Sequence, residues 1–318
     1  MRRTDLPFAF AGTALRREEA LAAEAARTGP GDADLLLLLD GKGRAAFHEG
    51  EGRILRLAVA LAKTWAGDPA GWVLLGRDEA GRRHWAALVE DDALAGLADA
   101  AAGAVWADPR GIAHRLTMTA AAGGPPDRDS GDLAAARALL FWHRDNRFCS
   151  SCAGRMRAVR AGLARLCGSC GREIYPRVDP AVLVLVHAGD ACVLARGRSF
   201  PPGMVSTIAG FVLPGETPEQ AAARETAEEL GLAAAAPARL VASQPWPFPH
   251  SLMLGLLQEV RDGPLAIDET ELASARWFRR AETIRLLEEA RAGRRGELFV
   301  PPPLALAHHL IALWARDS

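Results

Sequence analysis

A chain of 318 residues is too long for one small core and long enough for two domains with a small module between them. Charged residues make up 24% and hydrophobic residues 49%, the balance of a soluble globular protein. A net charge of −1 excludes a whole-chain field for nucleic acid or membrane, so any such partner needs a local patch.

Nearly all the positive charge is arginine; Lys42 and Lys63 are the two lysines. No apolar run is long enough to span a bilayer, so no membrane partner is expected. The N-terminus MRRTDLPFAFAGTALRREEA starts basic, but charges cut its apolar stretch short. A secretory signal is therefore not expected, and the chain reads as cytoplasmic.

Residues 1–120 mix strand-like runs (34–39, 72–75 and 85–89) with alanine-rich helical stretches, the pattern of an N-terminal α+β domain. The leucine run 35–39 stops at Asp40 and reads as a buried strand. Residues 121–145 hold a linker and a helix. The Gly, Pro and Asp cluster AAGGPPDRDSGD at 121–132 reads as exposed. A helical pattern resumes at Leu133 and runs to about Arg147, with Leu133, Ala136, Leu140 and Phe141 on its buried side.

Residues 146–177 carry four of the five cysteines, in the order C-x2-C, fourteen residues, C-x2-C. Cys149, Cys152, Cys167 and Cys170 can form two knuckles and a tetrahedral zinc site with no position left open for water. The reading is a structural zinc ribbon rather than disulfides or a redox centre. Arg155, Arg157, Arg160, Arg165 and Arg172 surround it, either as a solvated basic face or as a contact for phosphate or RNA. Cys192 lies inside an apolar run and reads as core.

Residues 178–318 alternate strands and helices, an α/β pattern. DPAVLVLVH and ACVLARG read as neighbouring strands, and SLMLGLLQEV and ARWFRR as further ones. The segments 281–292 and 304–315 read as helices, the second after Pro301-Pro302-Pro303. A stronger helix lies between Thr217 and Gly231. Thr217 is a good N-cap, Pro218 suits the first helical position, Gln220 can close a capping box, and Gly231 supplies a left-handed stop. Within it Glu225, Glu228 and Glu229 stand at i, i+3 and i+4, on one face. Like charges so placed suit either a solvated acidic face or hard divalent cations such as Mg²⁺ or Mn²⁺. Downstream, SQPWPFPHS at 243–251 reads as a stiff proline loop that presents Trp246 and Phe248.

The segment 210–232, GFVLPGETPEQAAARETAEELGL, resembles the Nudix box G-x5-E-x7-R-E-U-x-E-E-x-G-U. Gly210, Glu216, Arg224, Glu225, Glu228, Glu229, Gly231 and Leu232 fill their places, and Thr226 alone departs. The later SQPWPFP is similar to the NADH pyrophosphatase (NAD diphosphatase) family, whose members also carry a four-cysteine ribbon before the Nudix domain. FC-x2-C at 148–152, YPR-x-DP at 175–180 and AGFV at 209–212 extend the match, which covers about residues 135–312.

The resemblance implies a Nudix α/β/α sandwich with a zinc ribbon and metal-dependent hydrolysis of NADH or NAD⁺ to nicotinamide mononucleotide and AMP. It also implies removal of NAD caps from RNA, and homodimers in which the ribbon region helps complete the partner's site. The alternative is a Nudix hydrolase of ADP-ribose or dinucleoside polyphosphates. By that resemblance Glu225, Glu228, Glu229 and the main-chain carbonyl of Ala209 would hold Mg²⁺ or Mn²⁺, Glu271 would be a further metal ligand or the base, and Glu216 and Arg224 would lock loop to helix. Gln244, Pro245, Trp246, Pro247, Phe248, Pro249, His250 and Ser251 would line the substrate pocket. Tyr175 and Phe211 would sandwich a base, and Ala307 would contact the nucleotide. Leu213 stands where the family usually has glutamate, which bears on metal number or rate. His143, His308 and His309 receive no chemistry.

Overall fold

The computed structural model describes residues 9–90, 96–97, 101–124 and 127–316. The chain divides into two compact units, one of Ala9–Arg177 with Pro247–His250, the other of Val178–Trp246 with the residues from Ser251 on.

In the first unit the leucine run alternates between two cores. Its strand β1 (Leu35–Asp40) sends Leu36 and Leu38 to one cluster and Leu37 and Leu39 to the other. A run with both faces covered needs no polar alternation. With β2 (Ala45–His48), β3 (Arg53–Ile54), β4 (Arg56–Ala58), β5 (Val73–Arg77), β6 (Arg83–Val89) and β7 (Ala104–Ala107) it forms a seven-stranded sheet. Helices α1 (Glu19–Thr28) and α2 (Val59–Ala66) contribute to the first cluster; α3 (Pro109–Ala121) and α4 (Ser130–Asp145) contribute to the second.

Helix α4 starts three residues before the sequence pattern resumes. The Asp127 carboxylate accepts the Ser130 amide at 2.9 Å, so 130–132 belong to the helix and not to the linker. Leu133, Ala136 and Leu140 are buried on α4 as expected. The ribbon is a three-stranded sheet of β8 (Met156–Val159), β9 (Ala164–Cys167) and β10 (Glu173–Ile174).

The second unit is built on β11 (Asp179–Ala188), β12 (Ala191–Gly197), β13 (Ile208–Phe211), β14 (Arg239–Trp246), β15 (Ser251–Glu259) and β16 (Leu272–Arg279). The order is β14-β15-β11-β12-β16, with β13 paired to β11. Strands β11 and β15 run parallel; the other pairs are antiparallel. Val182, Val184 and Val186 pack in the cluster of helix α5 (Pro218–Leu230). Leu185 packs in the opposite cluster with α6 (Arg280–Arg291) and α7 (Leu306–Arg316). Two helical layers around one mixed sheet make the α/β/α sandwich. Among the described residues no helix is long and apolar enough to cross a membrane.

Candidate active site

Helix α5 positions the acidic cluster, and its ends are set by local chemistry. Thr217 Oγ1 accepts the Gln220 amide at 3.3 Å while Gln220 Oε1 accepts the Thr217 amide at 2.8 Å, a closed capping box. Gly231 ends the helix in the left-handed region at φ 69°.

One face of the helix carries three carboxylates in unequal settings. Glu225 and Glu229 are buried; Glu228 is exposed. Strand β13 runs beside them, and a Cβ on Gly210 would fall 1.8 Å from Glu225 Oε1. The box glycine thus leaves room for a carboxylate.

Arg224 is the hub. It donates to Glu216 at 2.7 and 3.0 Å and to the Phe211 carbonyl at 2.9 Å, the lock between loop and helix. It also reaches Glu225 at 2.6 Å and Glu228 at 2.9 Å, which the loop–helix reading had not included. The Arg224 guanidinium holds the Glu216 carboxyl down at about 2. Glu216 also accepts the Leu213 amide at 3.0 Å, so the loop closes through the main chain of Leu213 while its side chain is exposed.

Glu229 lies beyond this arginine's hydrogen bonds. Its Oε1 is buried without a hydrogen-bond partner among the described residues. Burial, then the fields of Glu225 and Glu271, pushes its carboxyl up to about 8; the Ala209 amide opposes the rise and Asp268 adds to it. Burial likewise raises Glu225, against the pull of Arg224. An orphaned carboxylate oxygen among like charges is what a hard divalent cation would satisfy. The donor set, all oxygen and with the Ala209 main chain at hand, fits such an ion.

Glu271 is exposed at the start of β16. Its loop is tied to the helix end, since the Asp268 amide donates to the Glu229 carbonyl at 3.1 Å and the Glu271 amide to the Asp268 carbonyl at 3.2 Å. Sequence reasoning missed Asp268; the acidic run DETE was the available signal.

The SQPWPFPHS segment is mostly a hairpin, not an extended loop. Gln244, Pro245 and Trp246 pair with Met253, Leu252 and Ser251 across β14 and β15. Proline is tolerated because β14 is an edge strand. Gln244 is buried, its amide donating to the Leu304 carbonyl at 2.9 Å and accepting the Leu306 amide at 2.8 Å, so it anchors the start of α7. Ala307 is buried in that same helix.

The tip 247–250 falls in the first unit. There Phe248 lies under the guanidinium of Arg110 at 3.9 Å and that of Arg137 at 5.2 Å, with the Phe10 ring edge-on. Arg137 Nε donates to the Pro247 carbonyl at 3.0 Å. Pro247 is buried, Pro249 exposed and His250 half-buried. Tyr175 in the first unit and Phe211 in the second are 57% and 58% exposed, so both rings have a face available.

In the ribbon the four Sγ atoms lie within 4.8 Å of one another. The amides of Ser151 and Ser169 each point at the preceding knuckle sulfur, Cys149 or Cys167, at 3.4 Å. A Cβ on Gly154 would strike Ser169 and approach Cys167 Sγ to 3.1 Å, so the knuckles need a glycine there. Four thiolates at this spacing make a closed structural zinc site.

The basic face is smaller than the sequence implied. Arg165 is buried and donates to the Met156 carbonyl at 2.7 Å and to the His143 carbonyl at 3.1 Å. Arg160 pairs with Glu173 at 2.8 Å, and Arg172 donates to Ser151. The histidines are structural: His143, His308 and His309 each hydrogen-bond a main-chain carbonyl.

The NUDIX domain model matches residues 177–298, and the NADH pyrophosphatase zinc ribbon domain model matches residues 144–175. The chain is 37% identical over 297 residues to the NAD-capped RNA hydrolase NudC of Mycobacterium bovis, covering 92% of this chain and 89% of that protein. It is 38% identical over 200 residues to the human NAD-capped RNA hydrolase NUDT12, covering 60% of this chain and 42% of that protein's length. The NudC of Stutzerimonas stutzeri is 47% identical over 146 residues, covering 46% of this chain and 52% of that protein. Among solved structures, a Nudix hydrolase from Nitrosomonas europaea aligns with a TM-score of 0.38 at 22% identity, covering 49% of this chain and 99% of that one.

Proposed function

The chain belongs to the Nudix hydrolases that carry an NADH pyrophosphatase zinc ribbon, and we propose that it cleaves the pyrophosphate of NADH, NAD⁺ and NAD-capped RNA. Water adds across the P–O–P bond, giving AMP and nicotinamide mononucleotide (its reduced form from NADH), or nicotinamide mononucleotide and a 5′-phosphorylated RNA. The observation that carries the reading is the buried Oε1 of Glu229, which has no hydrogen-bond partner among the described residues and lies beside Glu225 on the box helix.

Glu225, Glu228, Glu229, Glu271 and the Ala209 carbonyl are the groups that would hold Mg²⁺ or Mn²⁺. When bound, such an ion neutralises the pyrophosphate and makes a water more acidic. The protein's own residues set the geometry. Arg224 fixes the loop and spreads positive charge over Glu216, Glu225 and Glu228. Gly210 keeps the Glu225 carboxyl in place, and the Asp268 loop presents Glu271. Tyr175 in one unit and Phe211 in the other each present an exposed ring, a surface that suits stacking on a flat base. The names of the relatives support NAD-capped RNA as a substrate. The resemblance implies a homodimer, and exposed Phe148 in one unit and exposed Val178 in the other are each apolar surface that a second copy would cover.

The test is product analysis with NADH and with NAD-capped RNA in Mg²⁺ or Mn²⁺, beside Glu229→Gln. Reduced nicotinamide mononucleotide from NADH and nicotinamide mononucleotide from the capped RNA are expected, with rates at least about 100-fold lower in the variant. No product from NADH, from NAD-capped RNA or from NAD⁺ run beside them, with either metal, would refute the proposal.

A further inference from the structure

We propose that Arg196 and Arg198 form an anion subsite beside the carboxylate centre that takes a nucleotide phosphate; this rests on the hydrolase reading above. The two arginines line a cavity of about 400 Å³ with Ile267, Glu269, Leu272 and Ala273. Its place follows from the sheet. Strands β12 and β16 pair with a register shift at Arg196 and Gly197, where Gly197 meets Leu272. That irregularity sets both arginines against the loop that delivers Glu271. The Arg198 amide donates to the Glu271 carbonyl at 3.1 Å, and its Nη1 donates to the Glu269 carbonyl at 2.9 Å. Arg196 Nη1 donates to the Phe200 carbonyl at 3.4 Å.

Each guanidinium is thus steadied by a main-chain carbonyl, which leaves its charge uncompensated. Among the described residues neither arginine forms an ion pair. Two positive charges sharing one cavity, opposed there by Glu269 alone, repel each other and favour an anion between them. A phosphate suits the planar fork of arginine, which binds two oxygens at once. The adjoining carboxylates would repel that phosphate unless a cation neutralised them, so the subsite and the proposed metal centre act on one substrate. The phosphate has two possible sources: the pyrophosphate common to all three substrates, or the first phosphodiester of a capped RNA.

Arg196→Gln, Arg198→Gln and the double variant, made in the full chain, separate these sources. Inorganic phosphate is the direct probe, titrated calorimetrically into each protein. The double variant is expected to lose about tenfold in phosphate affinity and to raise KM by a similar factor, with kcat within about twofold of the parent. Arg→Lys variants, which keep charge and lose the fork, should fall between. A rise in KM on both NADH and a short NAD-capped RNA assigns the pyrophosphate; a rise confined to the RNA assigns the phosphodiester. Unchanged phosphate affinity in the folded double variant, or unchanged KM on both substrates, overturns the proposal. If the parent protein turns over neither substrate, the hydrolase reading fails, and the phosphate titration still decides the subsite.

Discussion

A Cβ at residue 210 has nowhere to go, since it would meet Glu225 Oε1 at 1.8 Å and Cδ at 2.0 Å. What it strikes is the free end of a flexible side chain, so Gly210→Ala should cost stability only about 1 kcal/mol or less. The displaced carboxyl, however, is a proposed metal ligand, and turnover should fall on the order of 100-fold. Denaturant unfolding beside steady-state kinetics checks both, and a stability loss with unchanged kcat would contradict the role given to this glycine. His308 makes a pH prediction. Burial holds its pKa down at about 4, against the pull of the Pro301 carbonyl, where the ordinary value is 6.5. Between those values the unfolded chain takes up a proton that the folded one does not. Stability should therefore drop as pH falls from about 6.5 towards about 4, by on the order of 2–3 kcal/mol, and level off below. His308→Gln should flatten that slope in urea midpoints measured at pH 7.5 and pH 5.

Helix α5 shows what a one-dimensional pattern can specify. Its cap, its first proline, its carboxylate face and its glycine stop are all local in sequence, and each stands where the residues imply. Thr217→Ala should cost about 1 kcal/mol, the usual loss of an N-cap. Gly231→Ala should cost more, about 1–3 kcal/mol, because a side chain at φ 69° is strained and its Cβ would meet that of Ala266 at 2.7 Å. Reversed magnitudes in urea unfolding would mean that the cap, not the stop, governs this helix. The ribbon is equally local, and its core is tiny: Cys149, Met156 and Cys167, with Ile174 against them. So small a sheet depends on its metal, and a strong zinc chelator should abolish amide-exchange protection in β8–β10 while α5 keeps its own. Other residues were not legible in this way. Arg165 reads as a surface charge until β9 turns it under His143, and nothing near Gln244 in sequence announces its partners Leu304 and Leu306 at the entry to α7. Those partners lie 22 and about 60 residues away, where no spacing rule reaches.

For the whole molecule, the apolar runs of β1 and β11 announced buried strands, but not which strands would flank them. The parallel pairing of β11 with β15 joins Asp179 to Ser251, and that join follows from packing rather than from any motif. The same limit applies to charge. A net −1 gives the chain no long-range attraction for a polyanion, so the proposed capped-RNA substrate would have to be held by local arginines at short range. That distinction can be measured through salt. NADH presents only its pyrophosphate, whereas NAD-capped RNA adds phosphodiesters, each contact releasing counterions with a slope of about 0.7 per phosphate on a single strand. Two such contacts would raise the RNA's KM about sevenfold between 50 and 200 mM salt, beyond any change seen with NADH, at nearly constant kcat. Equal salt slopes for the two substrates would mean that the RNA body touches no arginine at all. Recognition would then end at the dinucleotide cap, whatever length of RNA follows it.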